Sequence, residues 1–211
     1  TNIATQTGAS ANLTAVPLPG TTKYYRRVTT CADSGLSSNS TGVPFTTTTP
    51  AYCTPTTTSK TNMYISSFKF VGTLNNPALI ANVTGADGYW DYTARTPVAE
   101  QPDGSVINIE AISLDTVNQG KGGNWKAWVD WNGDGDFNDS GEEVYSLTGY
   151  VTNALAFGFI IPAGQTPGKY RLRIKVNYDG TTITPCSAFT SGEVEDYSFL
   201  VVYNCPAKVD A

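Results

Sequence analysis

Residues 169–178 read KYRLRIKVNY, and apolar and polar side chains alternate through the whole stretch. Tyr170, Leu172, Ile174, Val176 and Tyr178 fall on one side, and Arg171, Arg173, Lys175 and Asn177 on the other. Successive side chains of a strand point to opposite faces of its sheet. The pattern therefore predicts a half-buried antiparallel strand with an apolar inner face and a basic outer one. Working outward, NWKAWVDW (124–131) sets Trp125, Ala127, Val129 and Trp131 on one face and Lys126, Trp128 and Asp130 on the other. YISSFKF (64–70), SVINIEAISL (105–114), EEVYSLTGY (142–150), ALAFGFIIP (154–162) and EDYSFLVVY (195–203) predict further strands, divided by Gly, Pro and Asn. The last is apolar on both faces toward its end, as a central strand is. No segment carries the three-and-four spacing of an amphipathic helix. The expected class is all-β, an antiparallel β-sandwich.

Composition narrows the function. The chain has 211 residues, a net charge of -5 and only 15% charged residues. It lacks the basic patches that neutralise phosphates, so no nucleic-acid partner is expected. No apolar run is long enough to insert into a membrane. The opening TNIATQTGAS lacks the charged and apolar regions of a signal peptide and reads as a mature or excised piece. Histidine is absent, which removes the commonest general base and the commonest transition-metal ligand. Cys31, Cys53, Cys186 and Cys205 are far apart with no C-x-x-C pair, which argues against zinc and redox motifs. Structural disulfides in an oxidising compartment are one reading, buried free thiols the other.

Pro44 to Lys60, PFTTTTPAYCTPTTTSK, is rich in Pro and Thr and marks a seam. The expected organisation is a β segment at 1–49, a linker at 50–60, a β-sandwich at 61–204 and the start of another linker at 205–211. Within the first segment, TTKYYRRVTTCADSGLSSNSTGVPFTTTT (21–49) resembles the last strands of an immunoglobulin-like or fibronectin-like repeat. It departs from that pattern where Arg26 or Arg27 stands in place of the usual cysteine.

The densest charge lies in AWVDWNGDGDFNDSGEEVY (127–145). Asp130, Asn132 and Asp134 occupy positions one, three and five of a turn, followed by Gly135 and Asp136, with Glu142 one place beyond position twelve. A hard cation of the Ca²⁺ type takes about six to eight oxygens, and alternate residues of a tight loop supply them. Asp130, Asn132, Asp134, Asp136 and Glu142 are therefore the expected metal ligands, with Asp139 and Glu143 turned outward or standing behind them. The flanks are strands, and Phe137 and Val144 would anchor the loop. The plainer alternative is a solvated turn built from Asn, Asp and Gly.

A second acidic stretch, SGEVEDYSFLVVY (191–203), carries Glu193, Glu195 and Asp196. On a strand the two glutamates share one face and Asp196 takes the other. Alone, the pair suggests glycosidase carboxylates. Together with AYCTPT, GYWDYT, the 127–143 stretch, IPAGQTPGKYRLRIKV and PCSAFTSGEVEDYSF, it resembles the GEVED domain. That resemblance implies a secreted β-sandwich module of large bacterial surface or exported proteins, Bacteroidota among them, with no chemistry of its own. Relatives carry additional cysteines that are missing here, so Cys53–Cys186 and Cys31–Cys205 are two candidate pairings. Glu193, Glu195 and Asp196 are expected either beside the cation loop, through Arg171 or Arg173, or in ion pairs with the basic face of residues 171–175.

The expected function is a non-catalytic, calcium-binding module, secreted or on the cell surface, serving adhesion or structural spacing beside neighbouring domains of the same polypeptide. The alternative is a carbohydrate-binding accessory module of an exported hydrolase or protease. There Tyr89, Trp90, Tyr92 and Trp128 would stack on surface glycans. An enzyme using Glu193, Glu195 or Asp196 is the least favoured reading.

Overall fold

A computed structural model describes residues 51–59, 62–74, 88–96, 98–115, 123–149, 154–178 and 183–202. It gives backbone alone for the strands at 22–25, 28–30, 37–39, 43–46 and 80–81. The chain divides into two units, Thr1–Ala51 and Tyr52–Ala211. In the first, β1 (Thr22–Tyr25) pairs with β4 (Val43–Thr46) and β2 (Val28–Thr30) with β3 (Ser37–Asn39), both antiparallel. Cys31 and Cys205 lie outside the described residues.

In the second unit, β5 is Thr57–Ser59, β6 Met63–Val71, β7 Ile80–Ala81, β8 Tyr89–Asp91, β9 Ala99–Pro102 and β10 Val106–Asp115. Then come β11 Asn124–Asp130, β12 Glu143–Leu147, β13 Ala154–Ile160, β14 Gly168–Asn177 and β15 Phe189–Val202. The smaller sheet runs β13-β10-β6-β7, and the larger β12-β11-β14-β15, with β5, β8 and β9 on the far edge of β15. Among the described residues there is no helix, and so none long and apolar enough to cross a membrane. The chain is all-β, a sandwich of two sheets.

The alternation in residues 169–178 does what strand geometry demands. Leu172, Ile174 and Val176 are buried on the inner face, against Met63, Ile65 and Phe68 of the other sheet. Two features differ from expectation. The larger sheet is mixed, because β5, β8 and β9 all join β15 in parallel. Parallel pairing needs long crossovers, and strand periodicity carries no trace of those.

The outer face of β14 is not solvated either. Arg173 and Lys175 are 0% exposed. They lie beneath residues 52–55 and 183–189, which the Cys53–Cys186 disulfide joins. Trp128, Phe137, Ile183 and Tyr52 form a second, smaller apolar cluster on that side. Residues 52–59, expected as part of a linker, belong to the second unit, and β5 pairs with β15.

Candidate functional site

The acidic loop joins Asp130, the last residue of β11, to Glu143, the first of β12. Its sharp bend needs Gly135, whose φ of 98° is open chiefly to glycine. Two carboxylates hold it from inside. Asp130 Oδ1 accepts from Gly133 N at 2.6 Å, and Oδ2 accepts from Gly135 N at 3.1 Å and from the Tyr52 hydroxyl at 2.6 Å. Glu142 Oε1 accepts from Trp131 N at 3.1 Å and Oε2 from Asp139 N at 3.0 Å. Both side chains are buried. Burial raises the Glu142 pKa, the two N–H bonds work against that rise, and the neighbouring charges of Asp130 and Asp139 add to it.

On the exposed side, the Asn132 amide nitrogen donates to Asp134 Oδ2 at 2.9 Å and to Asp139 Oδ2 at 2.6 Å. Asp134 Oδ1 accepts from Asp136 N, and Asp136 Oδ1 from Asn138 N. The Asp136 and Asn132 contacts hold Asp134 below the ordinary aspartate range. The five expected ligands are thus divided. Asp130 and Glu142 lie inside, Asn132 and Asp134 meet outside together with Asp139, and Asp136 turns to Asn138. Among the described residues no three or more His, Cys, Asp or Glu side chains converge as a metal-holding group. The donor chemistry nevertheless suits a hard cation. Oxygen carboxylates predominate, and the positive end of one amide stands between two of them. A half-turn of that amide would exchange its nitrogen for oxygen.

Tyr52 links this loop to the second acidic stretch. Its ring packs at a tilt against Phe137 with centroids 5.4 Å apart, and the Arg171 guanidinium lies 4.2 Å from its ring centroid. Burial first, and then Asp130, raise its pKa above that of a free phenol. Asp130 and Arg171 are direct cross-strand partners. Arg171 donates to Asp196 Oδ2 at 2.7 Å and to Asp91 Oδ2 at 2.5 Å. Burial would lower the Arg171 pKa, but Asp196 and Asp91 outweigh it and raise it. Burial raises Asp91, while Thr93 and Arg171 bring it below its usual value.

Residues 192–196 make contacts within the fold at each position. Gly192 has φ 148°, and a Cβ there would collide with Val176 O. Glu193 faces the other sheet, where Oε2 accepts from Ile65 N at 2.6 Å, close to a β-bulge in the β6–β10 ladder. Val194 N donates to Gly88 O at 3.0 Å. Glu195 accepts from the Tyr197 hydroxyl inside the core. Asp196 takes Arg173 Nε and Nη2, each at 2.7 Å, and the Tyr89 hydroxyl at 2.9 Å.

The ion-pair expectation therefore holds for Asp196 alone, since the two glutamates point away from the basic face. A bidentate, fully buried pair of this kind fixes geometry more than it adds net stability. Arg173 also donates to Cys53 O and Pro185 O, and Lys175 to Thr184 O and Ser187 O.

Of the four aromatics expected to face a ligand, Trp128 is 2% exposed and Tyr92 is buried in the main core. Neither is free to stack on a sugar. Tyr89 is half-buried against Arg173, and burial and Asp196 push its hydroxyl up to about 12. Trp90 is 41% exposed. Sequence reading missed Tyr52 and Asp91 and put Asp139 in the background. The partner of Tyr52 is 78 residues away, and no local pattern signals it.

Residues 124–200 match the family model described as the GEVED domain, a span from the first residue of β11 nearly to the end of β15. No curated protein matches the chain.

Proposed function

We propose that the chain is a non-catalytic, calcium-binding β-sandwich module of a large secreted or cell-surface bacterial protein, serving adhesion or structural spacing. Asp130, Asn132, Asp134, Asp136 and Glu142 are its oxygen donors, with Asp139 beside them. Residues 1–49 are read as the end of an immunoglobulin-like repeat, and neighbouring domains as its partners. One observation carries the calcium reading. Asp134 and Asp139 gather on a single amide, above a loop already pinned by two buried carboxylates. Like charges held that close favour a cation among them.

The non-catalytic reading draws support from burial. Glu193, Glu195 and Asp196 are at most 1% exposed, out of reach of any substrate. A thermal melt in millimolar calcium and then in excess chelator tests the proposal. Binding to the folded form at about 100-fold over Kd stabilises by roughly 2.7 kcal/mol, which raises Tm by about 5–10 °C in a chain of this size. Superimposable melting curves would reject calcium binding.

The carbohydrate-binding alternative now rests on Trp90, the one of the four aromatics classed as exposed. Glycan binding that disappears in Trp90→Ala, with an unchanged melt, would favour it over adhesion through protein contacts.

A further inference from the structure

In the second unit, among the described residues, three of the four edges of the two sheets carry features that discourage pairing with another chain. At one edge of the larger sheet, β12 is short and bears Glu143, paired with Lys126 at 2.8 Å. The opposite edge is cut into the separate pieces β5, β8 and β9. In the smaller sheet, β7 is two residues long among the described residues. The fourth edge, β13, differs. It runs seven residues, ALAFGFI, without a charge, a proline or a break in register against β10. Among the described residues no strand pairs with its other side. Exposed edges of this kind are templates for strand addition, which proteins ordinarily block with charge, proline, bulges or shortness.

The free side has a definite chemistry. Ile161 N bonds to Ser105 O, and Ile161 O accepts from Gly104 N, so the peptide groups of Ile161 face the β10 side. Peptide groups alternate along a strand, which turns those of Ala154, Ala156, Gly158 and Ile160 to the open edge. The same residues carry their side chains on the exposed face, with Ile160 65% exposed. Val106 and Ile112 continue an apolar surface on β10. The charges there are those of Lys69 and Glu110, paired at 2.7 Å. On a chain of net charge -5, this is a neutral strip.

We propose that β13 pairs antiparallel with β13 of a second copy of this chain, about a two-fold axis at Phe157, joining two small sheets into one. In that register Ala156 faces Gly158 of the other copy, and Ala154 faces Ile160. Every outward residue meets an outward residue, Ile160 meets the small Ala154, Ala156 meets Gly158, and no like charges meet. A self-complementary patch is what a two-fold interface requires. The strand suits a copy of itself better than a charged peptide, because it has no charge to offer one. This pairing is independent of the calcium reading, since β13 shares no residue with the acidic loop.

Sedimentation velocity on the full chain over a concentration series tests the proposal. A reversible monomer–dimer equilibrium is expected. Ala154→Lys should weaken it about tenfold, because it sets a charged side chain directly opposite the apolar Ile160 of the other copy, and lysine on an edge strand blocks strand addition. Adding Ile160→Glu should restore it, since the new residues oppose each other only in the proposed register. Thermal melts of both variants at concentrations where the parent is monomeric should match it, as both positions are exposed. If Ala154→Lys does not fold, Ala156→Lys serves in its place for the loss of association. A monomer at every concentration, a dimer indifferent to the lysine, or no rescue by Ile160→Glu would each overturn the proposal.

Discussion

In the loop after Asp130, most carboxylates accept hydrogen bonds from backbone N–H groups two to five residues away. Glu193 and Asp196 instead reach partners 128 and 23–107 residues distant. Both regions are acidic, and both stood out as candidate sites. The first shapes a turn that keeps several carboxylates in water. The second ties β15 to β14 and to the opposite sheet from buried positions. Clustered carboxylates thus mean different things according to where their partners lie. Locally satisfied groups shape their own turn, whereas distantly satisfied ones join separate strands.

Substitutions can break or sharpen this contrast. The largest effect is expected for Asp196→Ala, which leaves Arg173 buried without its carboxylate. Denaturant unfolding should show a loss of about 4 kcal/mol, and a loss near zero would mean that the second region is not structural.

Next comes a pH effect at Lys175, which burial, and then Arg173, push down to about 8 from 10.5. Between those values the unfolded chain binds more protons than the folded one, so stability contributed here rises with pH. The rise is about 3 kcal/mol at most, and Lys175→Met should flatten it. Urea unfolding of both proteins across that window checks the sign.

Glu193→Ala removes the acceptor of a buried N–H and should cost about 2 kcal/mol. Tyr52→Phe should cost about 1 kcal/mol, because Asp130 keeps its two N–H donors. Smallest is Asp134→Asn, within about 0.5 kcal/mol of the parent when calcium is chelated. It should nevertheless shrink the calcium-induced rise in Tm. A large loss of stability in chelator would erase the distinction between the two regions.

Much of the framework was legible beforehand. The inner faces of β11 and β14 follow directly from alternation, and the central place of β15 from its double apolar face. The acidic loop was legible as a loop between strands, and the opposite facing of Glu193 and Asp196 follows from strand parity. Trp128, Arg173 and Lys175 were read as facing solvent because parity assigns a side of the sheet, not what covers it. Their cover comes from residues 52–55 and 183–189, which meet through a disulfide spanning 133 positions.

By itself, then, the sequence determined the all-β class, the strands, their inner faces and the two acidic stretches, since each depends on neighbours a few residues apart. Only the tertiary structure decided that the basic face is buried, that Tyr52 joins the acidic loop to Arg171, and that the glutamates of 192–196 point into the core. These outcomes depend on which distant segments pack together, and a two-residue period holds no information about that.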